Sequence, residues 1–280
     1  MCELFGLNCN KAVNISFSFT ELHEEDRLHD SGWGIGYYRI GEQEKPYATI
    51  IKEPISARNS IFNYFLKYGY INSHIFISHF RVASVGAKVP LNTHPFQMMI
   101  DPRAESYQEK SWIFAHSGTL KGIKHDRRFL SKLKPHGNTD SEIAFCYLIG
   151  RLRAKYIANG YSLPLEEKIE IIETVAHKIS EAYPENFNFI LSDGYRLYAY
   201  YGGYDAENGG RLWYLTRKPS QPKLAMIDQN DGMTIQLIDK EADETATLVA
   251  SNPLKPTATS SWQPFQVNEL KVFEDGEIVK

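Results

Sequence analysis

The sequence predicts an α+β fold in which two stacked β-sheets carry helices on their outer faces. Three observations support this prediction. Short β-rich segments fill the first half of the chain, two apolar stripes with helical spacing occupy the middle, and strands return after residue 186. Strands, then a helix pair, then more strands cannot form a regular alternation of parallel βαβ units. We therefore expect a layered arrangement whose functional residues lie near strand ends.

The strands of the first half are short runs rich in β-branched and aromatic residues, separated by turns. They are predicted at residues 3–8, 32–39, 47–52, 74–82 and 112–116. Residues 17–28 and 58–68 carry apolar residues at helical spacing, which predicts two helices beside these strands. Phe96, Met98 and Met99 are expected to pack in the core or in a loop.

The middle of the chain predicts a pair of packed helices. Ile143, Tyr147 and Leu148 form one apolar stripe. The second stripe consists of Ile169, Ile172, Val175, Ala176 and Ile179. The letters NGYS at residues 159–162, followed by Pro164, predict a turn too short to link two domains.

Strands return after the helix pair. They are predicted at residues 187–191, 195–201, 211–216, 234–238, 247–250 and 270–273. The letters SDG at residues 192–194 indicate a hairpin turn between the first two of these strands.

Composition favours one globular domain, which we place at residues 2–280. The 280 residues are 42% hydrophobic and 23% charged, which is ordinary for a chain that buries a core. The net charge is -3, and the lysines and arginines are scattered along the chain, so nucleic acid is not an expected partner. We find neither an apolar run of roughly 18 residues nor a secretory signal, and therefore expect no membrane partner and a cytoplasmic location.

Cysteine usage predicts free thiols. Cys2, Cys9 and Cys146 make an odd number in a chain without a secretory signal. There is no CxxC pair, and the histidines lack the HExxH spacing of a helical zinc site. We expect neither a metal ion nor another cofactor.

Cys2 is the most informative residue, because removal of Met1 would place a nucleophile and a base in one residue. An exposed α-amine has a reference pKa of about 7.7 to 8.0, which suits a general base near neutral pH. The thiol has a reference pKa near 8.5 and therefore needs such a neighbouring base. Taken alone, a small cysteine at this position is more often an inert packing residue.

Four motifs change that weighting. They are MCELFG at residues 1–6, HFRVAS at 79–84, FAHSGT at 114–119 and NTDSE at 138–142. With DSGWG at 30–34, NTHPF at 92–96 and LSDG at 191–194, they make the sequence resemble the class II glutamine amidotransferases, in particular their small stand-alone bacterial branch. The resemblance covers most of the chain and implies the four-layer αββα sandwich of N-terminal-nucleophile hydrolases.

The resemblance implies a pocket for a free amino acid. The arginine matching Arg81 clamps the α-carboxylate of glutamine, and the aspartate matching Asp140 accepts from its α-ammonium group. A planar fork of donors suits a carboxylate, although a surface arginine at a strand end would fit the sequence equally well. Asp140 also lies in a TDSE capping-box pattern, which opens a helix, and both roles can hold together. We add Ser84 and His116 to the substrate-binding set.

The resemblance assigns Gly118 to the oxyanion hole, and a plain turn glycine is the alternative. Ser117 departs from the family pattern, which usually has asparagine as the second oxyanion donor. A serine hydroxyl can donate but is shorter. Loss of one such donor typically costs about 100- to 1000-fold in turnover. We do not assign His79, His94 or His116 as the catalytic base, because the α-amine makes a histidine base unnecessary.

These observations predict hydrolysis of the side-chain amide of glutamine, or of a related γ-glutamyl bond, through a Cys2 thioester. Ammonia would be released or passed to a separate accepting enzyme, because no acceptor domain follows residue 280. The main alternative is a degenerate, non-catalytic subunit that binds glutamine or a partner, motivated by Ser117. A thiol-based redox or metal protein using Cys2 and Cys9 ranks below both.

Overall fold

The computed structural model describes residues 3–19, 31–40, 45–62, 71–81, 86–101, 103, 111–184, 187–203, 211–218, 225–227, 233–237, 243–253, 255–256 and 262–280. Two antiparallel β-sheets lie one on the other, and a helix pair packs on the second sheet. The predicted α+β class with two stacked sheets is confirmed. No helix in the described ranges has both the length and the apolar character needed to cross a membrane.

The sixteen described strands are numbered in chain order. Sheet A contains β1 (Glu3–Phe19), β2 (Trp33–Ile40), β3 (Pro46–Glu53), β4 (Ile71–Phe80), β9 (Trp213–Arg217), β10 (Ala225–Ile227), β11 (Met233–Leu237), β12 (Ala246–Ala250), β13 (Lys255–Pro256) and β14 (Gln263–Pro264). Sheet B contains β5 (Phe96–Met99), β6 (Ser111–Ser117), β7 (Asn188–Ser192), β8 (Arg196–Tyr201), β15 (Glu269–Glu274) and β16 (Glu277–Ile278).

The long strand β1 organises sheet A. Its first part pairs with β12 on one side and with β4 on the other, where Glu3 lies opposite Phe80. The register with β4 shifts between Asn8 and Val13, and the last part of β1 pairs with β11. The predicted helix at 17–28 is therefore wrong at residues 17–19, where ladder pairing overrides the helical spacing of the apolar residues. The other residues of this predicted helix, 20–28, lie outside the described residues.

The helix pair is confirmed. Helix α1 spans Asp140–Ala158 and helix α2 spans Leu165–Ala182. Both bury an apolar face against sheet B, and the rings of Phe114 on β6 and Phe145 on α1 stack with centroids 4.9 Å apart. Of the predicted helix at 58–68, only residues 58–62 are described, and they include the end of a 3-10 turn at Ala57–Asn59. Three more 3-10 turns cover Pro90–Asn92, Ile123–His125 and Arg127–Phe129.

Three buried apolar clusters stack through the molecule. One lies between the helix pair and sheet B, a second between the two sheets, and a third on the outer face of sheet A. The alternation of β1 separates the last two, because Leu4 points between the sheets while Phe5 and Leu7 point outward. Both faces of sheet A are thus buried, as expected for an internal layer of a four-layer sandwich.

Two smaller features of sheet B bear on the prediction. The hairpin turn at residues 192–194 is confirmed, since it joins the paired strands β7 and β8. Phe96 and Met98 are buried as expected, but residues 96–99 also form the edge strand β5, which pairs with β6. This strand was not predicted from the sequence, because the run is only four residues long.

Candidate active site

Arg81 follows β4 directly, at the edge of sheet A where β1 begins. Its backbone N–H donates to Gly32 O at 2.8 Å. Its guanidinium donates through Nη1 to Ala87 O and through Nη2 to Gly86 O, both at 3.3 Å. Because the residue is 3% exposed, the alternative of a surface arginine is wrong. These contacts fix the orientation of a buried cationic fork.

Asp140 is the first residue of α1. Its Oδ2 accepts from the backbone N–H of Leu120 at 2.7 Å, and its Oδ1 accepts from Ser141 N at 2.9 Å. Thr139 is the N-cap, and its hydroxyl accepts from Glu142 N at 3.2 Å. A helix start predicted from the capping pattern is therefore confirmed, and the Asp140 carboxylate also ties α1 to the turn after β6.

Glu142 does more than stabilise the helix end. Its two carboxylate oxygens accept from the backbone N–H groups of His136 at 2.8 Å and Gly137 at 2.7 Å. In a complete capping box this carboxylate would instead return to the N-cap amide. Glu142 is 3% exposed, so a buried charge fixes the loop that leads into α1.

Ser117 and Gly118 form the end of β6 and the turn that follows. Ser117 pairs with Asn188 of β7, and its side chain is on the same strand face as Ala115, which points between the two sheets. Gly118 has φ of 140°, a conformation that side chains disfavour. A glycine is thus required for the turn itself. Its assignment to an oxyanion hole stays a prediction.

Three buried histidines connect the elements around this turn. Nδ1 of His116 lies 2.8 Å from Ser141 Oγ, and Nε2 of His79 donates to the His116 carbonyl oxygen at 3.1 Å. The rings of His79 and His94 are 4.2 Å apart, and Phe96 packs on His94 at 4.4 Å. Burial, followed by the nearby positive groups, lowers the pKa of His94 well below its usual value, so His94 is neutral.

This histidine column has a simple geometric consequence. It links β4, β6 and the start of α1, which carry the candidate residues at positions 81, 117–118 and 140. The interpretation of His116 as a hydrogen-bonded core residue is confirmed. His79 and His116 each lie on a strand, two positions before the candidate residues Arg81 and Gly118. Among the described residues, no three metal-binding side chains converge on one point.

The loop between β4 and β5 connects Arg81 to the segment that leads into α1. Asn92 is 2% exposed; its Nδ2 donates to Ala87 O and its Oδ1 accepts from Asn138 N, both at 3.0 Å. Ala87 O also accepts from Arg81. Hydrogen bonds therefore run from Arg81 through Ala87 and Asn92 to Asn138, two residues before Asp140.

Lys52 on β3 fixes the next part of this loop. Its Nζ donates to Thr93 O at 2.7 Å and to Pro95 O at 3.3 Å. Burial lowers the pKa of Lys52 to about 8, while Glu142 opposes that shift. Gly34 allows the approach, because a Cβ there would lie 2.3 Å from His94 O. Nothing in the sequence marks Lys52 for this role.

Of the predicted site residues, Cys2 and Ser84 lie outside the described residues. The other two cysteines, Cys9 and Cys146, are buried free thiols. Burial raises the pKa of Cys9 well above its usual value and that of Cys146 to about 12. Neither is a thiolate at neutral pH, so neither is suited to act as a nucleophile.

Comparison with known proteins identifies the family of this chain. The family profile described as "Glutamine amidotransferases class-II" matches residues 1–280. An uncharacterized protein of Methanocaldococcus jannaschii is 33% identical, covering 100% of this chain and 71% of its own length. A Haemophilus influenzae protein provisionally named a glutamine amidotransferase is 30% identical, covering 99% of this chain and 85% of its own length.

Solved structures support the fold. The crystal structure of a predicted glutamine amidotransferase from Pseudomonas aeruginosa aligns with a TM-score of 0.70 and 26% identity, covering 100% of both chains. Glutamine phosphoribosylpyrophosphate amidotransferase from B. subtilis aligns with a TM-score of 0.52 and 13% identity, over 99% of this chain and 48% of that one. The predicted N-terminal-nucleophile hydrolase fold is confirmed, and the chain belongs to the class II glutamine amidotransferase family.

Proposed function

We propose that this protein hydrolyses the side-chain amide of glutamine, or a related γ-glutamyl bond, with Cys2 as nucleophile. One observation carries the proposal within this family. Hydrogen bonds connect the buried Arg81 guanidinium through Ala87 and Asn92 to Asn138, two residues before Asp140, whose carboxylate binds the turn after Ser117. Opposite charges fixed in this way suit the α-carboxylate and α-ammonium groups of an amino acid.

The start of β1 supports a nucleophile at position 2. Glu3 is the first residue of β1 and lies opposite Phe80, which precedes Arg81. The strand end that carries Arg81 is therefore also the place where β1 begins, and Cys2 is the residue before Glu3 in the sequence.

The proposed reaction has two steps, both of which use the α-amine freed by loss of Met1. The amine accepts the Cys2 thiol proton, Sγ attacks the amide carbon, and the protonated amine gives that proton to the leaving nitrogen as the C–N bond breaks. The products are a thioester and ammonia. Water then attacks the thioester, the amine accepts its proton, and glutamate leaves as the C–S bond breaks.

Both steps pass through a tetrahedral oxyanion. We assign its stabilisation to the N–H of Gly118 and the hydroxyl of Ser117. We assign Ser84 and His116 to the substrate pocket, His116 acting through its contact with Ser141 beside Asp140. Ammonia is then released or transferred to a separate enzyme.

Labelling with 6-diazo-5-oxo-L-norleucine, an alkylating analogue of glutamine, tests the nucleophile. We expect one adduct per chain by intact mass, mapped to Cys2 in a protein that has lost Met1. Cys9 and Cys146 serve as internal controls, because their raised pKa values keep them protonated. Labelling at Cys146 alone, or an active protein that retains Met1, would contradict the proposal.

Ser117 favours a second candidate function, a subunit that binds glutamine without hydrolysing it. Substitution Ser117→Asn supplies the longer donor expected from the family. We expect kcat for glutamine hydrolysis to rise, by up to about 100-fold, if the hydroxyl is a weak oxyanion donor. If neither form hydrolyses glutamine while both bind it in calorimetry, the binding subunit is the correct function.

A further inference from the structure

A cavity lies at the other end of β6 from the Ser117 turn. It has a volume of about 360 Å³ and opens between β6, the β7–β8 hairpin and the turn that joins α1 to α2. Its position at Trp112 is about 17 Å from Ser117 along the strand, at 3.3 Å per residue. The volume falls within the usual range of small-molecule sites, about 300 to 1,000 Å³.

Four aromatic side chains contribute to its walls. Trp112 and Tyr156 are buried, whereas Tyr161 and Tyr195 lie at the rim and are 37% and 54% exposed. Trp112 is further ordered by stacking on the ring of Tyr198, with centroids 5.7 Å apart. Flat, rigid walls of this kind favour a planar ligand over an aliphatic one.

The rim is fixed in an uncommon conformation. Tyr161 has φ of 69°, in the left-handed region that non-glycine residues rarely adopt. The Arg103 guanidinium carbon lies 3.2 Å from the Tyr161 ring centroid, and Asp101 binds both Arg103 and the Tyr156 hydroxyl, the latter at 2.9 Å. These contacts stabilise the aromatic rim in its strained position.

The Lys168 ammonium has N–H donors left for a ligand in the cavity. Asp193 accepts from Lys168 Nζ at 2.8 Å, from Tyr198 OH at 3.2 Å and from the backbone N–H groups of residues 195 and 196. Its carboxylate is therefore fully used. The ammonium of Lys168 has three N–H donors and spends one on Asp193, with no second hydrogen-bond acceptor among the described residues. Lys45 lines the same cavity.

We propose that this cavity binds a small planar aromatic molecule that carries an anionic group. The ring packs against Trp112 and Tyr156, and the anion lies between Lys168 and Lys45. The site is separate from the candidate active site, so its occupancy does not depend on the Cys2 reaction.

A matched pair of fluorescent probes tests the proposal on the full chain. 8-Anilinonaphthalene-1-sulfonate has a planar aromatic body and one sulfonate, and N-phenyl-1-naphthylamine is the same body without the charge. We expect saturable binding of one sulfonate per chain, with energy transfer from tryptophan, and at least about tenfold weaker binding of the uncharged probe. Equal affinities would overturn the anionic assignment, and no saturable binding would overturn the site.

Variants locate the binding. Lys45 and Tyr195 are exposed rim residues, so Lys45→Met and Tyr195→Ala should fold normally and weaken sulfonate binding about three- to tenfold. Lys218→Met is the matched control at an exposed lysine that follows β9, outside the cavity, and should leave the affinity unchanged. Wild-type affinity in both rim variants would overturn the proposal. So would loss of binding after alkylation of Cys2, because the probe would then occupy the candidate active site.

Discussion

The two ends of β6 are built from different interactions. At the Ser117 end, hydrogen bonds join separate loops to strand and helix ends, as when Glu142 binds two backbone amides and Asn92 bridges Ala87 to Asn138. At the Trp112 end, aromatic rings and one lysine–aspartate pair surround open space. The same strand thus ends in a polar network on one side and in an aromatic cavity on the other.

This difference indicates where substitutions will matter. At the Ser117 end the polar groups are oriented before a substrate arrives, which is the arrangement that catalysis requires. Removing one of them should reduce activity by more than the accompanying loss of stability explains. At the Trp112 end, substitutions should change ligand binding and leave amide hydrolysis unchanged.

The largest effect that separates the two ends is expected for Asp140→Asn. The substitution keeps a side-chain acceptor for the Leu120 N–H but removes the charge that we assign to the substrate ammonium group. Losing one partner of a charged hydrogen-bonded pair costs about 2 to 5 kcal/mol, so kcat/KM for glutamine should fall at least about 30-fold. The measurement is steady-state release of ammonia.

Two controls isolate this effect. Glutaramate, which is glutamine without its α-amino group, should be hydrolysed equally by wild type and Asp140→Asn. Asp126→Asn changes a comparable cap at a 3-10 turn away from the site and should not alter kcat/KM. An Asp140→Asn enzyme that loses activity equally towards glutamine and glutaramate would contradict the assigned contact.

Local sequence patterns predicted much of the fold. The second helix of the pair was predictable because its apolar stripe of helical period reports directly on one buried face, whereas the first helix buries every residue from Ala144 to Ile149. Most strands were predictable because they are short runs of β-branched and aromatic residues bounded by turns. The N-cap at Thr139 was predictable from the letters TDSE. The error at residues 17–19 shows the limit, because the partner that makes this segment a strand is more than 200 residues away.

The support of the site could not be predicted in the same way. Lys52 contacts residues 93 and 95, and Asn92 contacts residue 138, through hydrogen bonds that span 41 to 46 positions in the chain. The histidine column likewise joins positions 79 and 116. Such contacts depend on how strands are arranged in two sheets, and a single sequence contains no periodic signal for that arrangement.

An effect of intermediate size on stability is expected from the pH. Lys52, at the Ser117 end of β6, binds backbone carbonyls, whereas Lys168, at the Trp112 end, binds a carboxylate. The folded pKa of Lys52 is lowered from 10.5 to about 8, so the unfolded state binds more protons between these values. Below about pH 8 the buried charge opposes folding in full. The cost disappears as the pH rises towards 10.5, which should raise the free energy of unfolding by at most about 3 kcal/mol.

Lys52→Met is the comparison for this titration. Urea unfolding across the same pH range should show that the free energy of unfolding rises in wild type relative to the variant. Taking the difference between the two proteins cancels the contribution of the tyrosines that also titrate in this range. Parallel curves for the two proteins would show that Lys52 is not charged in a buried environment.

The smallest effect is expected from two serines, one in the first turn of α1 and one that contacts this helix from a loop. Ser141 Oγ lies 2.8 Å from His116 Nδ1 beside Asp140, while Ser131 Oγ donates to Cys146 O at 2.8 Å, farther along the helix. Each serine-to-alanine substitution should reduce the free energy of unfolding by about 1 kcal/mol. Only Ser141→Ala should also lower kcat/KM, about tenfold, because His116 then loses a contact that orients the start of α1.

Ser141→Thr keeps the hydroxyl and should restore most of the activity lost in Ser141→Ala, which a purely structural role would not require. Thermal unfolding and ammonia release, measured on the same preparations of all three variants, separate the two contributions. If Ser131→Ala lowered kcat/KM as much as Ser141→Ala at equal stability, the activity would follow the packing of α1 as a whole. The histidine column would then stabilise the fold without positioning the site, and the two ends of β6 would differ in composition alone.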